Sequence, residues 1–264
     1  MAAGPWDSFI AMGDSFTEGM DDPVGDGTYR GWADLVAERL AADVDDFRYA
    51  NLAVRGRSLQ PVVDAQVPVA LAMRPALVSF AAGGNDALRR RFDSEALTAV
   101  YDNAVARLVA TGATVLLFAP ANFTGKLPAR RYLLPRIELL VDVARRVAAE
   151  RGATLIDLWA DDAFANPALW SVDRLHLSTE GHRVVAARVL TALGVEPVPD
   201  WRPDPPVTFS AGWAAVMRKD LAWARVHLAP WLGRRLVGRS TGDTVAAKRP
   251  TLAPFRPMEE SAPH

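Results

Sequence analysis

A serine hydroxyl is a poor nucleophile until a base takes its proton, and histidine is the usual base. The chain has 264 residues and only four histidines. His264 is the last residue and His227 lies in a C-terminal appendage, so neither is placed to serve as a base. His182 opens a helical pattern, Gly181-His182-Arg183-Val184-Val185-Ala186, where capping or packing is its expected work. His176 remains, in a loop three residues after Asp173. An aspartate at that spacing can fold back in one turn and accept from Nδ1, leaving Nε2 to face a hydroxyl. Asp-x-x-His is common by chance. Here it follows the last strand, where a loop can reach over a sheet edge.

The hydroxyl that such a base would activate is Ser15. The run Phe9-Ile10-Ala11-Met12 meets Gly13-Asp14-Ser15, which reads as a buried strand ending in a glycine turn. A serine just past a strand's carboxyl end sits where open α/β sheets place ligands. The competing reading is that Asp14 or Ser15 simply caps the next helix. Acyl transfer also needs donors for the developing oxyanion. Gly56 offers an unobstructed backbone N–H, Asn85 a side-chain amide, and Ser15 its own N–H. Taken singly, Gly56 is an ordinary turn and Asn85 a helix N-cap; together with Ser15, Asp173 and His176, in this order, they describe a site.

The intervening chain must bring these residues together. Strand patterns at 47–54, 76–82, 114–119 and 154–158 follow the first. They alternate with helical patterns ending near Ala42 and covering 59–72, 94–110, 132–150 and 179–193. Strands alternating with long helices imply a parallel sheet with helices on both faces. Right-handed crossovers then put every strand-to-helix loop on one edge, so Ser15, Gly56 and Asn85 should converge. The acidic loop 20–27 reads as a solvated turn; Asp21, Asp22 and Asp26 could hold a cation, but their spacing matches no calcium loop.

Composition narrows the function further. Net charge is −1, which gives no support for a nucleic-acid partner, and the absence of cysteine removes disulfides, zinc–thiolate sites and a cysteine nucleophile. The N-terminal residues lack the basic and apolar regions of a secretory signal, and no apolar run is long enough for a membrane span. The chain reads as soluble and cytoplasmic. Five prolines between Val195 and Pro206 mark a stiff linker. Beyond it Trp213, Met217, Leu221, Ala224, Leu228 and Trp231 form an apolar helical stripe. Residues 201–264 carry ten Lys/Arg against five Asp/Glu, which leaves −6 on the first 200. The expected organisation is a domain at 1–194 and an extension at 195–264. The extension's basic helix docks on the acidic domain, with a disordered tail from about 244. Partner or membrane contact by that helix is the alternative.

Gly13-Asp14-Ser15, then Asn51 and Gly56, then Gly84-Asn85-Asp86, then Asp173-Arg174-Leu175-His176, resembles the four-block pattern of the SGNH (GDSL) hydrolases, over about 1–193. The resemblance implies a three-layer flavodoxin-like sandwich with a five-stranded parallel sheet in the order 2-1-3-4-5. It also implies a Ser15–His176–Asp173 triad and an oxyanion hole from Ser15, Gly56 and Asn85. The serine is not on a G-x-S-x-G elbow, unlike the ordinary α/β-hydrolases. Phe16 replaces a frequent leucine. Leu177 replaces a frequent proline, which would leave the histidine loop less rigid.

The reading is a serine esterase or lipase-type hydrolase. It would cleave a small-molecule carboxylic ester through an acyl-enzyme, with no metal or organic cofactor. Thioesterase and carbohydrate O-deacetylase are alternatives on the same residues, and a non-catalytic binding module is the rival from another class. Tyr29, Trp32, Phe16 and Phe123 could line an acyl pocket or belong to the core. Asp14 and Asp86 are expected to support the loops carrying Ser15 and Asn85.

Overall fold

The central strand β1 (Ser8–Gly13) is buried at every position, as its unbroken apolar run requires of a strand covered on both faces. The computed structural model describes residues 6–25, 28–126, 130–201 and 244–258. In it β1 pairs in parallel with β4 (Arg48–Asn51) on one side and β5 (Leu77–Ala81) on the other. The parallel sheet continues through β6 (Thr114–Ala119) to β7 (Thr154–Asp157). Counting these five strands in chain order, their spatial order is the expected 2-1-3-4-5.

Between the strands run α1 (Ser15–Glu18), the hairpin β2 (Pro23–Gly25) and β3 (Thr28–Tyr29), and α2 (Trp32–Ala41). They are followed by α3 (Leu59–Met73), α4 (Gly84–Ala87), α5 (Ser94–Val109), α6 (Arg130–Arg151) and α7 (Thr179–Ala192). Helix α2 packs on α7, while α3, α5 and α6 pack side by side as the other layer. The helical periods expected from sequence land within two residues of these bounds. The short α1, α4 and the hairpin have no period long enough to read. The strand pattern at 47–54 is regular only to Asn51. Beyond it Leu52 N and Val54 N still donate to Ala11 O (2.9 Å) and Gly13 O (3.3 Å).

Among the described residues the sheet has six strands rather than five, and the tail expected to be disordered from about 244 supplies the sixth. Strand β8 (Arg249–Pro254) lies antiparallel to β4, whose outer edge would otherwise present unpaired backbone groups. Pro250 and Pro254 hid this strand from the sequence reading, because proline cannot donate to a ladder and is tolerated only at edges. Phe255 meets the Tyr49 ring edge-on at 5.9 Å, and Leu252 is buried. The apolar stripe from Trp213 to Trp231 lies outside the described residues. No helix among the described residues is long and apolar enough to cross a membrane.

At the start of β8, Lys248 Nζ donates to the carbonyls of Tyr29 (3.0 Å) and Arg30 and pairs with Asp34. Arg249 Nε lies 3.3 Å from the other Asp34 oxygen. Asp34 is buried on α2; burial raises its pKa, and these two cations oppose that rise. Removing one partner of a buried pair strands the other charge, at a cost of about 3–5 kcal/mol. Lys248→Met should therefore destabilise the fold by about 3 kcal/mol at pH 7, and adding Asp34→Asn should recover much of the loss. Urea unfolding of the three proteins measures both.

Candidate active site

Strand β1 ends at Gly13, with φ at 151°. A Cβ there would overlap the carbonyl oxygen of Ala81 on the neighbouring strand and press on Thr17 Oγ1 at 2.8 Å. The buried Gln66 carboxamide, from α3, closes on the same residue. Gly13 N donates to Gln66 Oε1 (2.8 Å) and Gln66 Nε2 donates to Gly13 O (2.9 Å). The chain then turns into α1. Asp14 is the N-cap, accepting from Phe16 N at 3.2 Å, so the capping role falls to the aspartate and the Ser15 hydroxyl is left for other work. Ser15 Oγ lies 3.0 Å from His176 Nε2.

The opposing loop is built around Asp173. Its Oδ2 is 2.6 Å from His176 Nδ1, while Oδ1 accepts from the backbone N–H groups of Leu175 and His176, each at 2.9 Å. Arg174 takes φ 61° at the turn, and a bridge between Trp170 and Leu177 closes the loop's base. Leu177, buried where many members of the resembled family have proline, therefore belongs to the bracing. Burial would raise the Asp173 pKa, but the hydrogen bond and charge of His176 and the two backbone donors outweigh it. They hold the carboxyl well below the usual range. For His176, burial alone would favour the neutral ring. Asp173, then Asp21 and Asp14, reverse this and raise its pKa above the ordinary 6.5.

Gly56 has φ 73°, a left-handed conformation that a side chain would disfavour. Its neighbours tie it to the serine turn. Arg55 N donates to Glu18 Oε2 (2.6 Å) and Arg55 Nε to Glu18 Oε1 (2.8 Å), anchoring the loop to α1. On the other side Arg57 O accepts from Asn85 Nδ2 at 3.0 Å. The same nitrogen donates to Asp14 Oδ2 at 2.9 Å, so both amide hydrogens of Asn85 are engaged. Among the described residues the backbone N–H groups of Ser15 and Gly56 find no acceptor. Ser15, Gly56 and Asn85 thus converge at one sheet edge. Two of the three expected oxyanion donors are free, and the third is in use.

The supporting residues are hydrogen-bonded in turn. Asn51, fully buried, donates to Thr17 O (2.9 Å) and accepts from Ala53 N (3.1 Å). Asp86 accepts from Leu59 N (2.7 Å) at the start of α3. Burial pushes the Asp14 pKa up to about 6, against the Phe16 and Asn85 hydrogen bonds. Trp32 is core rather than pocket, with ring centroids 5.6 Å from Phe16 and 4.8 Å from Phe118. Phe123 is also buried, and Tyr29 lies under the Arg55 guanidinium. Asp22 turns inward and accepts from Gly31 N (3.0 Å) and Thr179 Oγ1 (2.8 Å). Asp21 instead faces the histidine loop. Ligand atoms of Asp21, Asp173 and His176 lie within 4.8 Å of one another, but Asp173 and His176 spend theirs on each other. Asp26 lies outside the described residues. The sequence reading missed Gln66, Ser171 and the direction of Asp21; none belongs to a local motif.

Residues 11–184 match the model of the GDSL-like Lipase/Acylhydrolase family. Esterase TesA of Pseudomonas aeruginosa is 28% identical over 173 residues, covering 64% of this chain and 79% of that one. Among solved structures, LAE5, described as an alpha/beta hydrolase enzyme from the metagenome of Lake Arreo, Spain, superposes with a TM-score of 0.59 at 25% identity. That match covers 73% of this chain and 96% of that one. Axe2, an acetylxylan esterase from Geobacillus stearothermophilus, shares the fold at 20% identity and a TM-score of 0.58, covering 78% and 100%.

His182 has both ring nitrogens occupied: Nδ1 accepts from Trp32 N (3.3 Å) and Nε2 donates to Met20 O (3.0 Å). Burial pushes its pKa down to about 4, so the folded state holds it neutral. As pH falls below 6.5 the unfolded chain takes up the proton first, and stability is lost progressively towards pH 4. His182→Gln should therefore cost about 2 kcal/mol less at pH 5 than at pH 7, measured by urea unfolding at both.

Proposed function

We propose, for a chain that belongs to the GDSL-like lipase/acylhydrolase family and is a carboxylic ester hydrolase, that Ser15 is its nucleophile and a short-chain acyl ester its substrate. Ser15 Oγ attacks the ester carbonyl carbon while His176 Nε2 takes the hydroxyl proton. Asp173 holds the ring through Nδ1 and supports the imidazolium. The oxyanion is received by the N–H groups of Ser15 and Gly56, and by the Asn85 amide, which gives up one of its present acceptors. Collapse expels the alcohol, protonated by His176, and leaves an acyl-serine. Water activated by the same ring then releases the acid.

The observation that carries this reading is the unbroken chain from Ser15 Oγ through both His176 nitrogens to Asp173, at 3.0 and 2.6 Å. A short acyl group is favoured because the Phe16, Trp32 and Phe118 rings pack against one another, with Trp32 and Phe118 buried, so they are not held apart to receive a long chain. The domain division is likewise part of the proposal, amended by the edge strand. Residues 1–194 carry the chemistry, and the C-terminal extension returns to brace the sheet.

Ser15→Ala should lower hydrolysis of short p-nitrophenyl esters by about 10⁴-fold or more with its melting temperature kept. It should also lose labelling by a fluorophosphonate probe. Retained turnover or labelling would remove Ser15 from the mechanism. Running the wild type on esters of graded acyl length, thioesters and acetylated sugars tests the substrate class. A second outcome concerns pH. The base must be neutral, and its pKa is raised. The acid limb of kcat/KM should therefore fall at a pH above the ordinary imidazole value of about 6.5. A profile flat down to pH 5 would exclude His176 as the base.

A further inference from the structure

The mechanism above leaves one carboxylate beside His176 unused. Asp21 follows α1, in the acidic loop, and adopts φ 69°, a conformation that side chains other than Asn and Asp rarely accept. Both its neighbours are tied down. Met20 O accepts from His182 Nε2, and the Asp22 carboxylate accepts from Gly31 N, Arg30 Nε and Thr179 Oγ1. Helix α7 thus grips the loop on either side of Asp21 and presents its side chain to residues 171–176.

There the Ser171 hydroxyl lies 2.5 Å from Asp21 Oδ2 and 2.9 Å from Asp173 Oδ1. It also accepts from Asp173 N at 3.2 Å. A hydroxyl has one proton to donate, so one neutral group bridges two carboxylates. The same Asp21 oxygen is 3.9 Å from His176 Nδ1. Two carboxylates this close repel unless a cation faces both, and the group facing both is the imidazole ring.

We propose that Asp21 is a second carboxylate of the relay, a positioning residue that holds Asp173 through Ser171 and lends its charge to the imidazolium at His176. The proposal rests on His176 being the base. In the resting site Asp21 adds negative charge to that of Asp173; when Ser15 gives up its proton, the ring becomes the cation that both carboxylates face. No bond to Asp21 is made or broken. The other groups facing His176 are Asp173 on its own loop, Asp14 from the serine turn and the neutral His182 from α7.

The test follows the His176 imidazole by NMR against pH in wild type, Asp21→Asn and Ser15→Ala, alongside the pH profile of ester hydrolysis. Asn accepts φ 69°; Asp21→Gly, which accepts it freely, is the second neutral variant. Removing a charge at 3.9 Å in a partly solvated site should lower the imidazole midpoint by about half a pH unit or more. The acid limb of kcat/KM should move with it, while plateau kcat falls less than about tenfold. In an Asp173→Asn background, removing Asp21 should cost a further tenfold or more. An unchanged midpoint in both neutral variants would overturn the proposal, since a purely structural aspartate would alter melting temperature without moving the titration. Because the NMR midpoint does not depend on turnover, active Ser15→Ala would overturn the nucleophile alone and leave the role of Asp21 to be decided separately.

Discussion

The candidate site depends on how the central strand stops. At Gly13 the backbone of β1 passes so close to Ala81 that no side chain fits, and the Gln66 carboxamide takes up both the N–H and the C=O. That clamp closes the hydrogen-bonding ledger of the strand end in a buried place where water cannot do so. It also fixes the direction in which the next residues leave. Asp14 then turns back to cap α1, and Ser15 emerges over the carboxyl edge of the sheet. A side chain at 13, or loss of the amide at 66, would act on the serine without touching it.

Around that turn, polar groups are buried in pairs and chains. Glu18 holds the Gly56 loop through Arg55, Asn85 spans from Asp14 to Arg57 O, and Asn51 pins β4 to α1. Each contact satisfies a group that would be costly to leave unpaired, and each joins two of the loops that meet at the edge. The electrostatics follow the same layout. Asp14 is deep enough for burial to dominate, whereas Asp173 is compensated by the ring and by two backbone donors. Two aspartates thus lie beside one histidine with opposite shifts, one tending towards the neutral form and one firmly ionised. Opposed environments of this kind are what assign different work to like residues.

Much of this was legible in the chain. The five parallel strands and five longer helices follow from apolar runs and helical periods, which are local properties of short windows. His176 emerged by elimination among four histidines, and Asp173 by its one-turn spacing. Three elements were not legible for physical reasons. β8 carries two prolines and pairs across two hundred residues, so its own composition argues against a strand. Leu177 looked like a loosening of the histidine loop, yet its bridge to Trp170 closes that loop. Asp21 looked like part of a solvated turn, and nothing within ten residues hints that Ser171 and His176 lie beside it.

The sequence by itself determined the five parallel strands, the one edge at which their loops gather and the residue types able to carry an acyl transfer. Hydrophobic pattern and right-handed crossovers leave few other arrangements. Only the tertiary structure decided which polar atoms meet: that Asp14 caps while the Ser15 hydroxyl stays available, that both Asn85 hydrogens are taken, and that Asp21 faces the ring. Those outcomes turn on distances of a few tenths of an ångström between residues 53, 71 or 150 positions apart. No local periodicity encodes such distances; packing sets them once the sheet has closed.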